Sequence, residues 1–217
     1  MTTFSGYTPI FDERSRLFSI TELIGDRRPR SYTWRCDLHL NQKKTSACTG
    51  FAVCHEAAAD PVPVPKLTAA IAQEVYARAK KLDQYYGENY AGSSVLGAIK
   101  AGAERGWYAS YRWAFSEYDL RIAVGWQGPA VIGIPWTKDM RTPDTKTGVI
   151  KPTGVQIGRH ALMVKGFNIT TGMYRLHNSY GTGWGLGGDC YLHYTHMAQL
   201  LKQQGECCIP ISRKLKK

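Results

Sequence analysis

Asn178-Ser-Tyr-Gly-Thr-Gly-Trp-Gly-Leu-Gly-Gly188 sets the terms for the rest of this 217-residue chain. Its glycines mark a tightly turning loop, and the asparagine at its head directly follows a strand-like run, Met173-Tyr-Arg-Leu-His177. A side-chain amide in that position can orient an imidazole, and one stands upstream in Gly158-Arg-His160-Ala161. Farther upstream, Gln42-Lys-Lys-Thr-Ser-Ala-Cys48-Thr-Gly-Phe-Ala52 adds a thiol and a second amide. The three segments supply a nucleophile, a base, a group to orient the base and a donor for an oxyanion.

A thiol of ordinary pKa, about 8.5, is mostly protonated at neutral pH and needs a cation or a helix N-terminus to become a thiolate. Cys48 opens an apolar stretch, through Ala59, that reads as a buried helix ended by Asp60-Pro61. Its sulfur is therefore expected in the positive field of the first helical turn. His160, on a predicted strand, would take the thiol proton and return it to a leaving amine, with Asn178 fixing the ring. The pair is expected to rest as thiolate and imidazolium.

These segments resemble those of the papain-like cysteine peptidases, of the type found in bacteria and phages. The run from Asn178 is similar to that family's Asn-Ser-Trp-Gly-x-x-Trp-Gly-x-x-Gly, and Gln42 stands six residues before Cys48, as the oxyanion glutamine does there. His160 and Asn178 follow the nucleophile in family order, somewhat closer than the roughly 130 to 150 residues usual in papain and the cathepsins. The resemblance makes Gln42, Cys48, His160 and Asn178 the catalytic set. It also makes Trp184 a wall on the leaving-group side and Tyr180 a shield over the Asn–His hydrogen bond. Gly92 and Ser93 become candidates for backbone contact with substrate. Arg159 stands where the family commonly has Asp or Asn, and inside the cleft it would favour acidic substrates. Three departures stand out: Thr45 replaces a cysteine and so removes a disulfide, Lys43 replaces a glycine after the oxyanion Gln, and Tyr180 replaces a tryptophan. The implied fold is α+β with two lobes, an N-terminal helical one and a C-terminal antiparallel β one, and the active-site cleft lies between them.

Read along the chain, one peptidase domain is expected over 1–217, with 1–35 as an extension, about 36–125 mainly helical and about 126–210 mainly β. The extension is short, mixed and Pro-punctuated, and it is shorter than the family's inhibitory propeptide, so control by some other means is expected. Pro61-Val-Pro-Val-Pro65 reads as a rigid link, and Leu67–Leu82 has apolar residues at helical spacing. A loop over 83–92 leads to a helix capped by Ser93 or Ser94 and stopped by Gly106. Ser116 opens another short helix. Pro129–Trp136, Ala161–Phe167, Met173–His177 and Asp189–Tyr194 read as strands, with a polar loop or hairpin over 138–148.

No stretch approaches the roughly 18 to 20 apolar residues of a membrane span, and the first residues lack the pattern of a secretory signal. A cytoplasmic setting, in a bacterial or phage-infected cell, is therefore expected, with the cysteines beyond Cys48 reduced and buried. A zinc site from Cys190, His193, His196, Cys207 and Cys208 matches no common spacing, and neither metal nor organic cofactor is expected. The formal charge of +11 suits an anionic partner. Without interleaved aromatics it reads first as a solvated basic face, and nucleic acid is not expected as the primary partner.

The function expected is thioester-forming endopeptidase action on a peptide or protein substrate. Two alternatives are a peptidoglycan-cleaving lytic peptidase, suited by the basic charge, and a catalytically silent papain-like scaffold.

Overall fold

The computed structural model describes residues 6–10, 12–83 and 91–213, with side chains as far as residue 211. Most of the loop expected over 83–92 lies outside them, as does most of the basic run at 213–217. A 3-10 turn at Glu13–Phe18, capped by Asp12, is followed by helix α1 (Thr21–Ile24) and the two-residue strand β1 (Tyr32–Thr33).

Three helices come next: α2 (Cys48–Ala57), α3 (Ala69–Leu82) and α4 (Val95–Glu104). Two have side-chain caps where a hydroxyl can reach a free helical N–H: Thr68 accepts from Ile71 and Ser94 from Gly97. α2 has no such cap and every one of its residues is buried. Its burial, not local propensity, holds it as a helix. α3 crosses it at Gly50, where an added Cβ would run into the Ala72 carbonyl oxygen, so the helix axes approach as only glycine allows.

The second half holds β3 (Ala130–Thr137), β4 (Gln156–Asn168), β5 (Met173–His177) and β6 (Asp189–His193). Between β3 and β4 the polar segment forms a 3-10 turn at Asp139–Arg141. Two strands not anticipated from the sequence complete the sheet: β2 (Tyr108–Trp113) and β7 (Glu206–Arg213). The order is β2-β7-β3-β4-β5-β6, with β1 added on β4, and every pairing is antiparallel. Helices α5 (Glu117–Trp126, capped by Ser116) and α6 (Tyr194–Lys202) also belong to this half.

β3 is buried along its whole length, because both faces of the sheet are covered. Alternate residues serve different cores, as the two-residue strand period requires. Val131, Ala161 and Cys208 pack with α2, α3 and α4. Ile132, Ile134, Leu162, Val164, Cys207 and Ile209 pack on the other face with α1, α5 and α6. The adjacent Cys207 and Cys208 thus sit in separate cores, and all six cysteines are free and buried. No described helix is long and apolar enough to cross a membrane.

Candidate active site

The first residue of α2 meets β4 edge-on. The Ala161 N–H, one residue past His160, donates to Cys48 Sγ at 3.4 Å, and the Cys48 and Thr49 amides at the helix start also point at the sulfur. These are the N–H groups that a helix leaves without internal partners. His160 Nε2 is 2.8 Å from Asn178 Oδ1. With Nε2 donating to that oxygen, Nδ1 is the basic nitrogen left for a thiol proton. Asn178 Oδ1 also accepts from the Ser179 amide at 2.8 Å, which holds the side chain in place.

The imidazole is in contact with two aromatic rings. Tyr180 stacks on it at 5.0 Å and 28°, and Trp136 is tilted against it at 4.8 Å, the two rings meeting edge-on at 6.5 Å. Trp184 meets Tyr180 edge-on at 5.4 Å and donates Nε1–H to the Arg141 carbonyl at 2.8 Å. Together with Asn41, Lys43, Arg141 and Gly183, these two rings line an open hollow beside the site.

Gln42 is fixed at both ends of its amide. Ser179 Oγ donates to Oε1 at 2.5 Å, and Nε2 donates to the Thr45 carbonyl at 2.8 Å. One Nε2 hydrogen remains for an oxyanion. The next residue, Lys43, takes φ +52° in the left-handed region and is pinned by Asn41 Oδ1, 2.7 Å from its N–H. The backbone path that glycine would take easily is therefore kept here by a lysine, at a cost on the order of 1 kcal/mol.

Gly92 and Ser93 lie on the far side of Cys48. The Gly92 N–H is committed to the Tyr76 hydroxyl at 3.0 Å. The Ser93 backbone has a different occupant: its N–H donates to the Gly6 carbonyl at 3.2 Å and its carbonyl accepts from the Thr8 N–H at 3.0 Å. Residues Gly6–Ile10 thus run through the cleft, with Tyr7 paired to Ser93 in the parallel sense. A Cβ on Gly6 would stand 2.6 Å from Cys48 Sγ. The Tyr7 ring lies on Gly133, Arg159 stands 5.4 Å over it, and the Tyr7 hydroxyl donates to Glu206 Oε2 at 2.5 Å. Arg159 also donates to the Gln203 and Gln204 carbonyls, so its charge faces this pocket's rim and not the hollow at Trp184.

Enclosure changes the electrostatics expected from sequence. Cys48 is 0% exposed, and burial pushes its thiol up to about 12 despite the amides aimed at it. Burial likewise takes His160 down to about 4, with the Asn178 bond working the other way. Both shifts favour the neutral thiol and the neutral imidazole over the expected ion pair, because burial penalises the charged forms.

Sequence reasoning placed Gln42, Cys48, His160, Asn178, Tyr180, Trp184, Gly92, Ser93 and Arg159, and all nine line or border this cleft. It missed Trp136, Ser179, Tyr7 and Glu206. Ser179 had a signal, since it adjoins Asn178 and carries a hydroxyl. Tyr7 and Glu206 had none, being 199 positions apart.

No family model matches the chain, and comparison with curated proteins yields no significant match. Solved structures do match. Xylellain, a cysteine protease from Xylella fastidiosa, aligns with a TM-score of 0.74 at 16% identity, over 98% of this chain and 97% of that one. The fold is papain-like. The bromelain protease from Ananas comosus, in complex with the E64 inhibitor, aligns at 0.61 with 16% identity over 85% of this chain and 100% of its own. Procathepsin L2 from the larval midgut of Tenebrio molitor aligns at 0.55 with 16% identity, over 96% and 75%. At these identities the shared property is the papain-like fold, within which Cys48 opens a helix that packs against the strand bearing His160.

Proposed function

We propose that this chain is a cysteine endopeptidase in which Cys48 is the nucleophile, His160 the base and acid, Asn178 the group that orients His160, and Gln42 an oxyanion donor. The observation that carries this reading is one junction: Cys48 Sγ receives the amide next to His160, while His160 is held at 2.8 Å by Asn178. That three-part arrangement is what nucleophilic catalysis by a thiol requires.

With a peptide in place and the cleft open, the Cys48 thiol proton passes to His160 Nδ1 as the sulfur attacks the scissile carbonyl carbon. The carbonyl oxygen becomes an oxyanion held by the Cys48 N–H and the free hydrogen of Gln42 Nε2. The C–N bond breaks, the proton on His160 goes to the leaving amine, and a thioester remains on Cys48. Water then gives a proton to His160 and attacks the thioester, and the proton returns to sulfur as the acid leaves. Tyr180, Trp136 and Trp184 limit water around the imidazole during this cycle.

The substrate class that fits is an extended peptide, which would pair with the Ser93 backbone as an added strand. Within this reading the chain processes protein in a bacterial or phage-infected cell. Six cysteines without a disulfide fit a reducing, cytoplasmic setting.

Exhaustive reaction with a peptidyl epoxide, mapped by mass spectrometry, tests the assignment. The adduct is expected on Cys48 alone and should be lost in His160→Ala; an adduct spread over Cys36, Cys54 and Cys190 overturns it. Gln42→Ala should lower kcat about 10² to 10³-fold, the loss expected for one oxyanion donor, with KM for a peptide little changed. An unaltered kcat removes Gln42 from the mechanism.

A further inference from the structure

The open hollow beside His160 carries charge of one sign. Lys43 and Arg141 line it together with the rings of Tyr180 and Trp184, and no carboxylate is among its lining residues. The acidic residues that flank Arg141 in sequence are engaged elsewhere. Asp139 accepts from Thr153 Oγ1 at 2.7 Å, and Asp144 accepts from the Lys146 and Thr147 amides at 3.1 and 2.7 Å. Lys43 takes part in no ion pair among the described residues. Arg141 is tied to the wall by its own carbonyl, which accepts from Trp184 Nε1 at 2.8 Å. Its charge is felt at Tyr180: burial pushes that phenol up, and Arg141 pulls it the other way.

The backbone of Lys43 adds a second, independent sign. Its φ of +52° is a conformation that glycine takes freely and a lysine takes only under strain. Asn41 Oδ1 pins it there, 2.7 Å from its N–H. A strained residue that carries a long cationic side chain to the wall of a catalytic hollow points to a use for that side chain.

Which part of a substrate reaches the hollow follows from the chemistry. His160 returns its proton to the leaving amine, and Tyr180 stacks on His160 at 5.0 Å. The hollow walled by Tyr180 therefore receives the residues on the amine side of the cleaved bond. We infer that Lys43 and Arg141 select substrates carrying a carboxylate in the first residues after the scissile bond. The inference rests on the peptidase reading of the site. It moves the acidic preference away from Arg159, whose guanidinium is spent on the Gln203 and Gln204 carbonyls and on the Tyr7 ring. The carboxylate is that of an Asp or Glu side chain or of a substrate's own C-terminus. The hollow is open to water, so each charge pair is worth a factor of about three and the two together about ten. The preference should shrink as salt is added.

Occupancy of the hollow can be read without turnover. The indole N–H of Trp184 gives an NMR signal, identified by its loss in Trp184→Phe, and full-length Cys48→Ala protein would be titrated while that signal is followed. The peptide Glu-Ala-Ala-amide should bind about tenfold more tightly than Gln-Ala-Ala-amide. Comparing Gln-Ala with a free C-terminus against Gln-Ala-amide tells whether a terminal carboxylate serves as well as a side chain. Lys43→Gln and Arg141→Gln should each reduce the Glu-to-Gln preference to about threefold, and together abolish it. Lys43→Gly relieves the backbone strain, so it should melt no lower than the parent and still lose the same share of the preference. A purely structural Lys43 would not give that combination.

Equal affinity for the Glu and Gln peptides, a preference that survives the double variant, or no shift of the Trp184 signal with the acidic peptide overturns the inference. Turnover by the parent chain separates it from the peptidase reading. Two internally quenched peptides, differing only in Glu or Gln after the scissile bond, would be offered to the parent and to Cys48→Ala. Cleavage of the Glu peptide with a kcat/KM about tenfold higher supports both. If the hollow prefers the acid and neither peptide is cut faster than by Cys48→Ala, the carboxylate site stands and the peptidase reading fails. If both peptides are cut at one rate, the peptidase stands and the inference fails.

Discussion

Two buried carboxylates, Asp189 and Glu206, are treated by the protein in opposite ways. Asp189, at the start of β6, has Lys165 Nζ at 2.8 Å, Arg175 Nε at 2.7 Å and His177 Nδ1 at 2.6 Å. Burial pushes its pKa up, but the bonds from His177 and Lys165 outweigh that and hold it at about 2. Glu206, at the start of β7, has among the described residues the Tyr7 hydroxyl and the Ile10 amide as donors, with Arg159 at longer range. Burial dominates there and raises it to about 7. The first carboxylate is locked in a charged cluster contributed by the sheet itself. Both hydrogen-bond partners of the second belong to the segment lying in the cleft. The difference separates a group that fixes geometry from one whose environment depends on whether the cleft is filled.

What Asp189 fixes is the position of Asn178. His177 pairs with Asp189 across β5 and β6, its Nε2 lies 2.9 Å from the Leu38 carbonyl, and the Asn178 N–H donates to the Gly188 carbonyl at 3.0 Å. The strand end that presents Asn178 to His160 is thereby tied to the segment leading to Gln42. Asp189→Ala is the most disruptive change expected, because it strands the buried Lys165 without its counter-charge and removes the carboxylate that His177 contacts. It should cost about 3 to 5 kcal/mol, a fall in Tm on the order of 10 °C for a chain of this size, and should reduce activity through Asn178. A thermal melt within 2 °C or so of the parent would show that the cluster is not holding the strand ends and would dissolve the contrast with Glu206.

The parts of this architecture that were readable in sequence are those whose causes are local or chemical. Ser94 and Ser116 mark helix starts because a hydroxyl meets an amide three positions on, and each caps its helix as expected. Gln42, Cys48, His160 and Asn178 were readable because thiol chemistry needs those functional groups in that order. β2 and β7 were not. Tyr108–Trp113 and Glu206–Arg213 pair with each other across the chain, and Pro210 in the second argues locally against a strand. Their identity comes from a partner about a hundred positions away. The short helix α6 was missed for a related reason: it buries only Met197 and Leu200, too few residues to show a period. The occupant of the cleft was hidden most completely. Gly6-Tyr-Thr-Pro-Ile10 has no periodicity, and its meaning lies in contacts with Cys48, Ser93, Gly133 and Glu206, all distant in the chain. The same segment contributes to the burial that shifts Cys48 and His160 toward their neutral forms, against the ion pair expected from sequence.

The smallest effect distinguishing the two carboxylates is in the pH dependence of stability, and its sign is opposite for each. Asp189 has a lowered pKa in the folded chain, so its contribution is present above the ordinary value of 3.8 and lost as pH falls toward 2. Glu206 has a raised one, so its contribution is complete below the ordinary 4.5 and lost as pH rises through about 7. Between pH 5 and 8 the unfolded chain releases a proton that the folded chain still holds on Glu206. Stability relative to Glu206→Gln should therefore decline across that window, by at most about 3 kcal/mol, since each tenfold difference in proton affinity between the folded and unfolded chains corresponds to roughly 1.4 kcal/mol. Glutamine keeps the shape and can still accept from the Tyr7 hydroxyl, so at pH 5 the two proteins should melt within a degree or two of one another and diverge above pH 6, the variant melting higher. Parallel melting curves from pH 5 to 8 would mean that Glu206 is already solvated in the folded chain. That result would place Tyr7 outside its pocket for much of the time, and with it the hydroxyl that now meets Glu206.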